Sequence, residues 1–138
     1  MRILYLILGI FLLILTLIGS CDDNYYDYRL NVLNKSIKTI YVESSYSFPD
    51  TLLRYTSSPF NHNPDKAAPN ETVIVTRGGS WEEAFKQQIH DKLIIFIFDA
   101  TIVDNTPWDT IKKNYIILKR YDLTLHDLDS LNFKVIYQ

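Results

Sequence analysis

LIIFIF, residues Leu93 to Phe98, is an apolar run without one polar member. Successive side chains of a strand point to opposite faces of its sheet, so a run that is apolar at every position predicts a strand covered on both faces, in the middle of a sheet. Its length suits a strand better than a helix. Near the C-terminus, Phe133, Val135 and Tyr137 alternate with Asn132, Lys134 and Ile136, which predicts one dry face and one wet face.

Outward from the central run, the same chemistry recurs in short pieces. Tyr28, Leu30 and Val32 alternate with Arg29 and Asn31; Asn34-Lys35-Ser36 supplies a turn, and Ile37 to Val42 is a second β-branched stretch, so a hairpin is expected. Thr72 to Thr76, Tyr115 to Arg120 and Phe133 to Tyr137 read as further strands. Three short helices have recognisable starts. Ser80-Trp81-Glu82-Glu83 reads as a capping box, Thr106-Pro107-Trp108-Asp109 as a cap threonine followed by a proline at the tolerated first position, and Thr124-Leu125-His126-Asp127 repeats the plan, with Asn132 beyond its end. Glu83, Asp109 and Asp127 are therefore helix-start acids. The expected fold over residues 28–138 is one α+β, mostly β domain: an antiparallel, sandwich-like sheet of about six strands with three short capped helices.

Ser44 to Asn70 is the irregular part and holds four of the five prolines. A stretch this long inside a compact domain is functional, mobile, or hides an edge strand, for which Thr51 to Tyr55 is the candidate. It is the expected interaction face, with Tyr41, Tyr46 and Tyr55 beside it as an expected exposed cluster.

The N-terminus speaks of location. Met1 and Arg2 precede an apolar run, Ile3 to Ile18, interrupted only by Gly9 and Thr16, which is the profile of a signal peptide. The single cysteine of the chain stands where this run gives way to Asp22-Asp23-Asn24. Ile18-Gly19-Ser20-Cys21 resembles the bacterial lipobox: an aliphatic residue, two small ones, and the cysteine whose sulfur receives the lipid. On that resemblance, cleavage falls between Ser20 and Cys21, residues 1–20 are a signal peptide, 21–27 an acidic tether, and the mature chain meets the membrane through an acylated Cys21. An uncleaved signal anchor and a buried structural thiol are the alternatives. Acids directly after the cysteine resemble the surface-export signal of Bacteroides-type lipoproteins, whereas an aspartate there resembles a retention signal for the inner membrane in enteric bacteria; the outer membrane is the favoured reading.

Chemistry is sparse by comparison. Fourteen basic residues against 16 acidic ones give a net charge of −2, which implies no electrostatic pull toward nucleic acid or an anionic membrane surface. His62, His90 and His126 are the only imidazoles; His90-Asp91 and His126-Asp127 lack the flanking partners of a metal-dependent phosphohydrolase, and no zinc-ligand spacing exists, so no metal or other cofactor is expected. His90 reads as the last residue of the helix that starts at Ser80. Gly78-Gly79 reads as a tight strand-to-helix turn rather than a phosphate loop. Trp81 and Trp108 read as core aromatics. No catalytic residue is assigned, although Asp99 and Asp104, near the end of the central strand, would be the acid and base of a glycan or peptide hydrolase if a cleft held both.

The segment from Leu93 onward resembles the C-terminal half of small, uncharacterised Bacteroides-type lipoproteins, in which a strand ending in Phe-Asp, a tryptophan-bearing helix, an LKRYDL strand, a short helix and a terminal strand recur. Phe98-Asp99, Trp108, Leu118 to Leu123 and Phe133 to Tyr137 carry the likeness. It implies an envelope location and no particular activity. In that bacterial group O-glycosylation uses an Asp-Ser/Thr-apolar motif, matched by Asp50-Thr51-Leu52, Asp109-Thr110-Ile111 and Asp129-Ser130-Leu131; Thr51, in the irregular region, is the expected acceptor because modification requires exposure. The sequence reading is thus a lipid-anchored envelope protein that binds or scaffolds another envelope protein or glycan.

Overall fold

A computed structural model of the chain describes residues 29–53 and 65–138. Within them the order is β1 (Arg29–Asn34), β2 (Ile40–Ser45), β3 (Lys66–Ala67), β4 (Thr72–Thr76), α1 (Trp81–Lys86), β5 (Leu93–Asp99), α2 (Ala100–Asn105), α3 (Trp108–Asn114), β6 (Lys119–Leu123), α4 (Leu125–Ser130) and β7 (Lys134–Tyr137). The fold is α+β and mostly β, with a small sheet ordered β4-β1-β7 and a larger one ordered β3-β2-β5-β6. Neighbours pair antiparallel except β1 and β7, which run parallel.

The all-apolar run occupies the interior position it predicts. Leu93, Ile95 and Ile97 point toward the small sheet and share a core with Leu30, Val32, Val73 and Val135. Ile94, Phe96 and Phe98 point the other way, into a second core with Tyr41, Leu53 and Ile111. Three layers result: the small sheet, the large sheet, and a cover made by α2, α3 and the turn after β2. Helices α1 and α4 join the first core through Trp81, Phe85 and Leu128. Trp108 packs edge-on to Phe98 at 5.7 Å between ring centroids, so both tryptophans serve packing.

The expected β1–β2 hairpin does not form, because the two strands belong to different sheets. Asn34 is the cause. Its buried side chain donates to the carbonyls of Lys38 (2.7 Å) and Ala67 (3.1 Å) and accepts from the Ser36 amide (3.0 Å) and hydroxyl (2.7 Å). These bonds replace the ladder a hairpin would have used and send the chain across to the second sheet. Ile37, expected in β2, is instead a turn residue 94% exposed.

Other boundaries move for local reasons. Tyr115 ends α3 in the left-handed region (φ 49°), and the Ile116 amide reaches back to the Ile111 carbonyl at 3.0 Å. Ile116 and Ile117 then pack against the helical side, and β6 begins only at Lys119, not Tyr115. The cap of α3 is Pro107, which offers no side-chain bond, rather than Thr106. Helix α1 stops at Lys86, so His90 lies beyond it. Helix α2 was not expected at all; Asp99 caps it by accepting from the Thr101 amide at 2.9 Å. Residues 51–53 are not strand, while Lys66–Ala67 pairs with β2 as a short edge. Thr124 and Asp127 form a reciprocal capping box at α4, whereas at α1 the Ser80 half of the expected box is seen, its hydroxyl accepting from the Glu83 amide. Gly79 takes the positive φ (86°) that the strand-to-helix turn requires.

Candidate functional site

The described part of the irregular region, which follows β2, is a built turn rather than a slack loop. The Ser45 hydroxyl donates to the buried Asp50 carboxylate at 2.9 Å, the Ser47 amide donates to the Ser45 hydroxyl at 3.1 Å, and the Asp50 amide returns to the Ser47 carbonyl at 2.7 Å. A cis peptide joins Phe48 to Pro49 inside it. Arg120 of β6 holds the turn from below, its guanidinium donating to the carbonyls of Pro49 (3.2 Å) and Asp50 (2.9 Å) and to the Tyr115 hydroxyl (2.9 Å). All three bonds come from Nη1, while Nε donates to the Asp122 carboxylate at 2.6 Å, so the planar guanidinium ties the turn to its own strand.

Beside this turn runs an open groove of about 440 Å³, with residues 46–49 on one wall and 88–90 on the other. That volume falls within the range of small-ligand sites. Phe48 meets the His90 ring edge-on at 5.7 Å between centroids, and the Lys92 ammonium sits 4.7 Å from the Phe48 centroid. Tyr46 is half-buried, with the Arg77 guanidinium 5.9 Å from its ring. Ile89 is 92% exposed and Leu52 69%. A second groove of about 410 Å³ lies between α1 and α4, floored by Phe85 and Leu125 and rimmed by Glu82, Lys86, Asp91 and His126.

The sequence-derived candidates disperse. Tyr41 is buried, donates its hydroxyl to Asp104 at 2.9 Å and carries Lys66 over its ring, so it belongs to the core and not to an exposed cluster. Tyr46 does line a groove. Tyr55, His62, Ser20 and Cys21 lie outside the described residues. Thr51 is exposed, whereas Thr110 and Ser130 are in helices.

Asp99 and Asp104 are each matched to a lysine rather than to one another. Lys38 reaches Asp99 at 2.7 Å and Lys66 reaches Asp104 at 2.7 Å. The lysine hydrogen bond is the main force holding each carboxyl below its ordinary range, aided by the Thr101 amide at Asp99 and the Tyr41 hydroxyl at Asp104. A general acid needs the opposite shift, so this pair is not poised as acid and base. Among the described residues no three His, Cys, Asp or Glu side chains gather as a metal site, and His90 and His126 open onto different grooves.

Residues 88–90 are the wall that sequence reasoning missed, since they read as the tail of α1. The only signal was the polar break Gln87-Gln88 ahead of the central strand. No protein-family model, curated protein or solved structure matches this chain.

Proposed function

We propose that this chain is a bacterial envelope lipoprotein, anchored through acylated Cys21 and favoured for the outer membrane, whose folded domain binds or scaffolds another envelope protein or glycan. The observation that carries the reading is the lipobox-like Ile18-Gly19-Ser20-Cys21 closing an apolar leader, with only seven residues between the cysteine and the first residue of β1. A lipid attached so near the fold keeps the domain at a membrane surface, and two or three acyl chains make such attachment stable. The groove beside Tyr46 and Phe48 is the binding face assigned to the partner, and exposed Thr51 next to it is the assigned glycan acceptor.

Intact mass spectrometry of the protein purified from its native envelope tests the anchor. The expected species begins at Cys21 and carries the mass of a diacylglyceryl group and an amide-linked acyl chain, and Cys21→Ala abolishes both the cleavage and the added mass. A product that retains Met1 overturns the reading. Co-purification from envelope extracts, compared with a Tyr46→Ala, Phe48→Ala double variant, then tests the groove; a partner retained equally by both moves the binding face elsewhere.

A further inference from the structure

The groove between residues 46–49 and 88–90 is bordered by cations that rest on aromatic rings. The Lys92 ammonium lies 4.7 Å from the Phe48 centroid and the Arg120 guanidinium 5.8 Å from it, while the His90 ring meets the same ring edge-on. On the other aromatic of that wall, the Arg77 guanidinium sits 5.9 Å from the Tyr46 ring and 5.9 Å from that of Trp81, and it donates to the Gly78 carbonyl. Arg120 has a carboxylate partner in Asp122, whereas among the described residues neither Arg77 nor Lys92 has one. A ring face fixes where a cation stands without cancelling its charge. The acids nearby are engaged elsewhere. Neither wall of the groove contains Asp or Glu. Asp50 is buried against the Ser45 hydroxyl, Asp122 is taken by Arg120, Asp91 opens onto the other groove, and Asp127 belongs to the α4 capping box. The sequence between Asp50 and Asp65 adds no acidic residue.

We infer that this groove takes an acidic glycan: a sugar whose carboxylate or phosphate is met by Lys92 and Arg77 and whose hydroxyls are met by Ser47, Gln88 and His90. The inference rests on the binding face proposed above and gives its ligand a chemical class. Charge decides the first half. Two cations without carboxylate partners beside walls that hold no acid, in a chain whose net charge is −2, make this groove a local attractor for an anion. The lining decides the second half. Ser47, Gln88 and His90 bring a hydroxyl, an amide and an imidazole, groups that exchange hydrogen bonds with sugar hydroxyls. An acidic peptide fits less well, because neither wall is a strand that could offer an extended chain a main-chain ladder, and Pro49 has no N–H to give. The bonds from Ser45 to Asp50 and from Arg120 to the carbonyls of Pro49 and Asp50 hold one wall in place before any ligand arrives, which lowers the ordering cost of binding.

The test applies the full chain, in a neutral detergent, to an array in which neutral oligosaccharides stand beside the same chains bearing a uronic acid or a sugar phosphate. Acidic members are expected to be retained about ten-fold or more above their neutral parents, and this preference is expected to fade in about 0.5 M salt. Arg77→Gln combined with Lys92→Gln is expected to abolish it. Lys113→Gln combined with Lys134→Gln removes the same amount of charge from exposed lysines of α3 and β7 and is expected to leave it unchanged. Circular dichroism and the urea midpoint show whether each variant is folded, and the salt and neutral-parent comparisons use the unaltered chain, so they decide even where a variant does not fold. The uronic-acid and phosphate arms distinguish the source of the charge. Equal retention of neutral and acidic members, or of acidic members by the unaltered chain and a folded Arg77, Lys92 variant, overturns the inference. Retention of poly-glutamate but of no glycan assigns the groove to an acidic peptide and overturns the glycan. Retention of nothing overturns the inference as well. The binding face is judged separately: a co-purifying partner lost from the Tyr46→Ala, Phe48→Ala variant leaves the groove standing, whereas a partner retained equally removes the face itself.

Discussion

The side-chain amide of Asn34 lies 3.1 Å from the carbonyl oxygen of Ala67, thirty-three residues further along the chain, and this bond ties the strand that ends the small sheet's centre to the edge strand of the large one. The same amide also bonds Lys38, and its oxygen takes both donors of Ser36. One fully buried polar side chain thus organises the crossover between sheets. Asn34→Ala leaves the Ala67 and Lys38 carbonyls without this donor, and each buried group left unsatisfied costs about 1–3 kcal/mol. A loss of roughly 2–4 kcal/mol is expected from the urea midpoint; a change under about 0.5 kcal/mol contradicts the assigned role.

The two faces of β5 make a paired prediction. Ile95→Ala opens the core between the sheets and Phe96→Ala the core beneath the helices, and losses of about 2–5 and 3–5 kcal/mol are expected. Ile74→Ala, on the open face of the small sheet, is expected to cost only about 1 kcal/mol or less, because the side chain is already half in water. Chemical denaturation of the three variants checks the ranking, and a near-neutral Phe96→Ala would mean that the helical layer does not cover β5.

Acid stability follows from the lysine-paired carboxylates. Asp99, Asp104 and Asp127 are all held below their ordinary values, the first two chiefly by hydrogen bonds from Lys38 and Lys66 and the third by the Thr124 backbone amide. A depressed carboxyl binds fewer protons folded than unfolded, so its contribution is present above the ordinary value of about 3.9 and is lost as pH falls through that value and below. The urea midpoint is expected to drop between about pH 4.5 and 2.5, with a shallower slope in Asp99→Asn. Lys38 and Lys66 are shifted upward by the same contacts, so their contribution is complete below about 10.4 and fades as pH climbs beyond it. Both lysines are partly or largely exposed, so the contribution of each pair at either end is small.

The capping box of α4 is the cleanest local test. The Thr124 hydroxyl accepts from the Asp127 amide at 3.2 Å while the Asp127 carboxylate accepts from the Thr124 amide at 2.8 Å. Thr124→Ala is expected to cost about 1 kcal/mol, within 0.5–2, and the Thr124→Ala, Asp127→Ala double variant to cost less than the sum, because the two bonds form as one unit. Strict additivity would show the two bonds to be independent.

How far the residues announced this structure depends on the range of the interaction. The central strand, the alternation of β1 and the caps of α1 and α4 are set by neighbours within a few positions, and all were legible. The β1–β2 crossover was not, because the Ala67 carbonyl that Asn34 needs lies in an element too short to show a pattern. Helix α2 was hidden because Asp99, its cap, also ends the central strand and pairs with Lys38, so its local role was masked by a longer-range one. Tyr41 misled for a related reason: its position beside a polar region suggested exposure, while its register opposite Phe98 turns it inward. The groove escaped notice because its walls come from segments brought together only by the packing of the turn after β2 against the entry to β5.

The parallel pairing of β1 with β7 sets the order in which the molecule can be completed. The first strand of the domain waits for the last of the seven before its sheet is whole, with the valine and leucine side chains of β1 and β4 lacking one neighbour until then. A polypeptide made from its N-terminus onward therefore cannot complete this three-stranded sheet until its last residues are at hand.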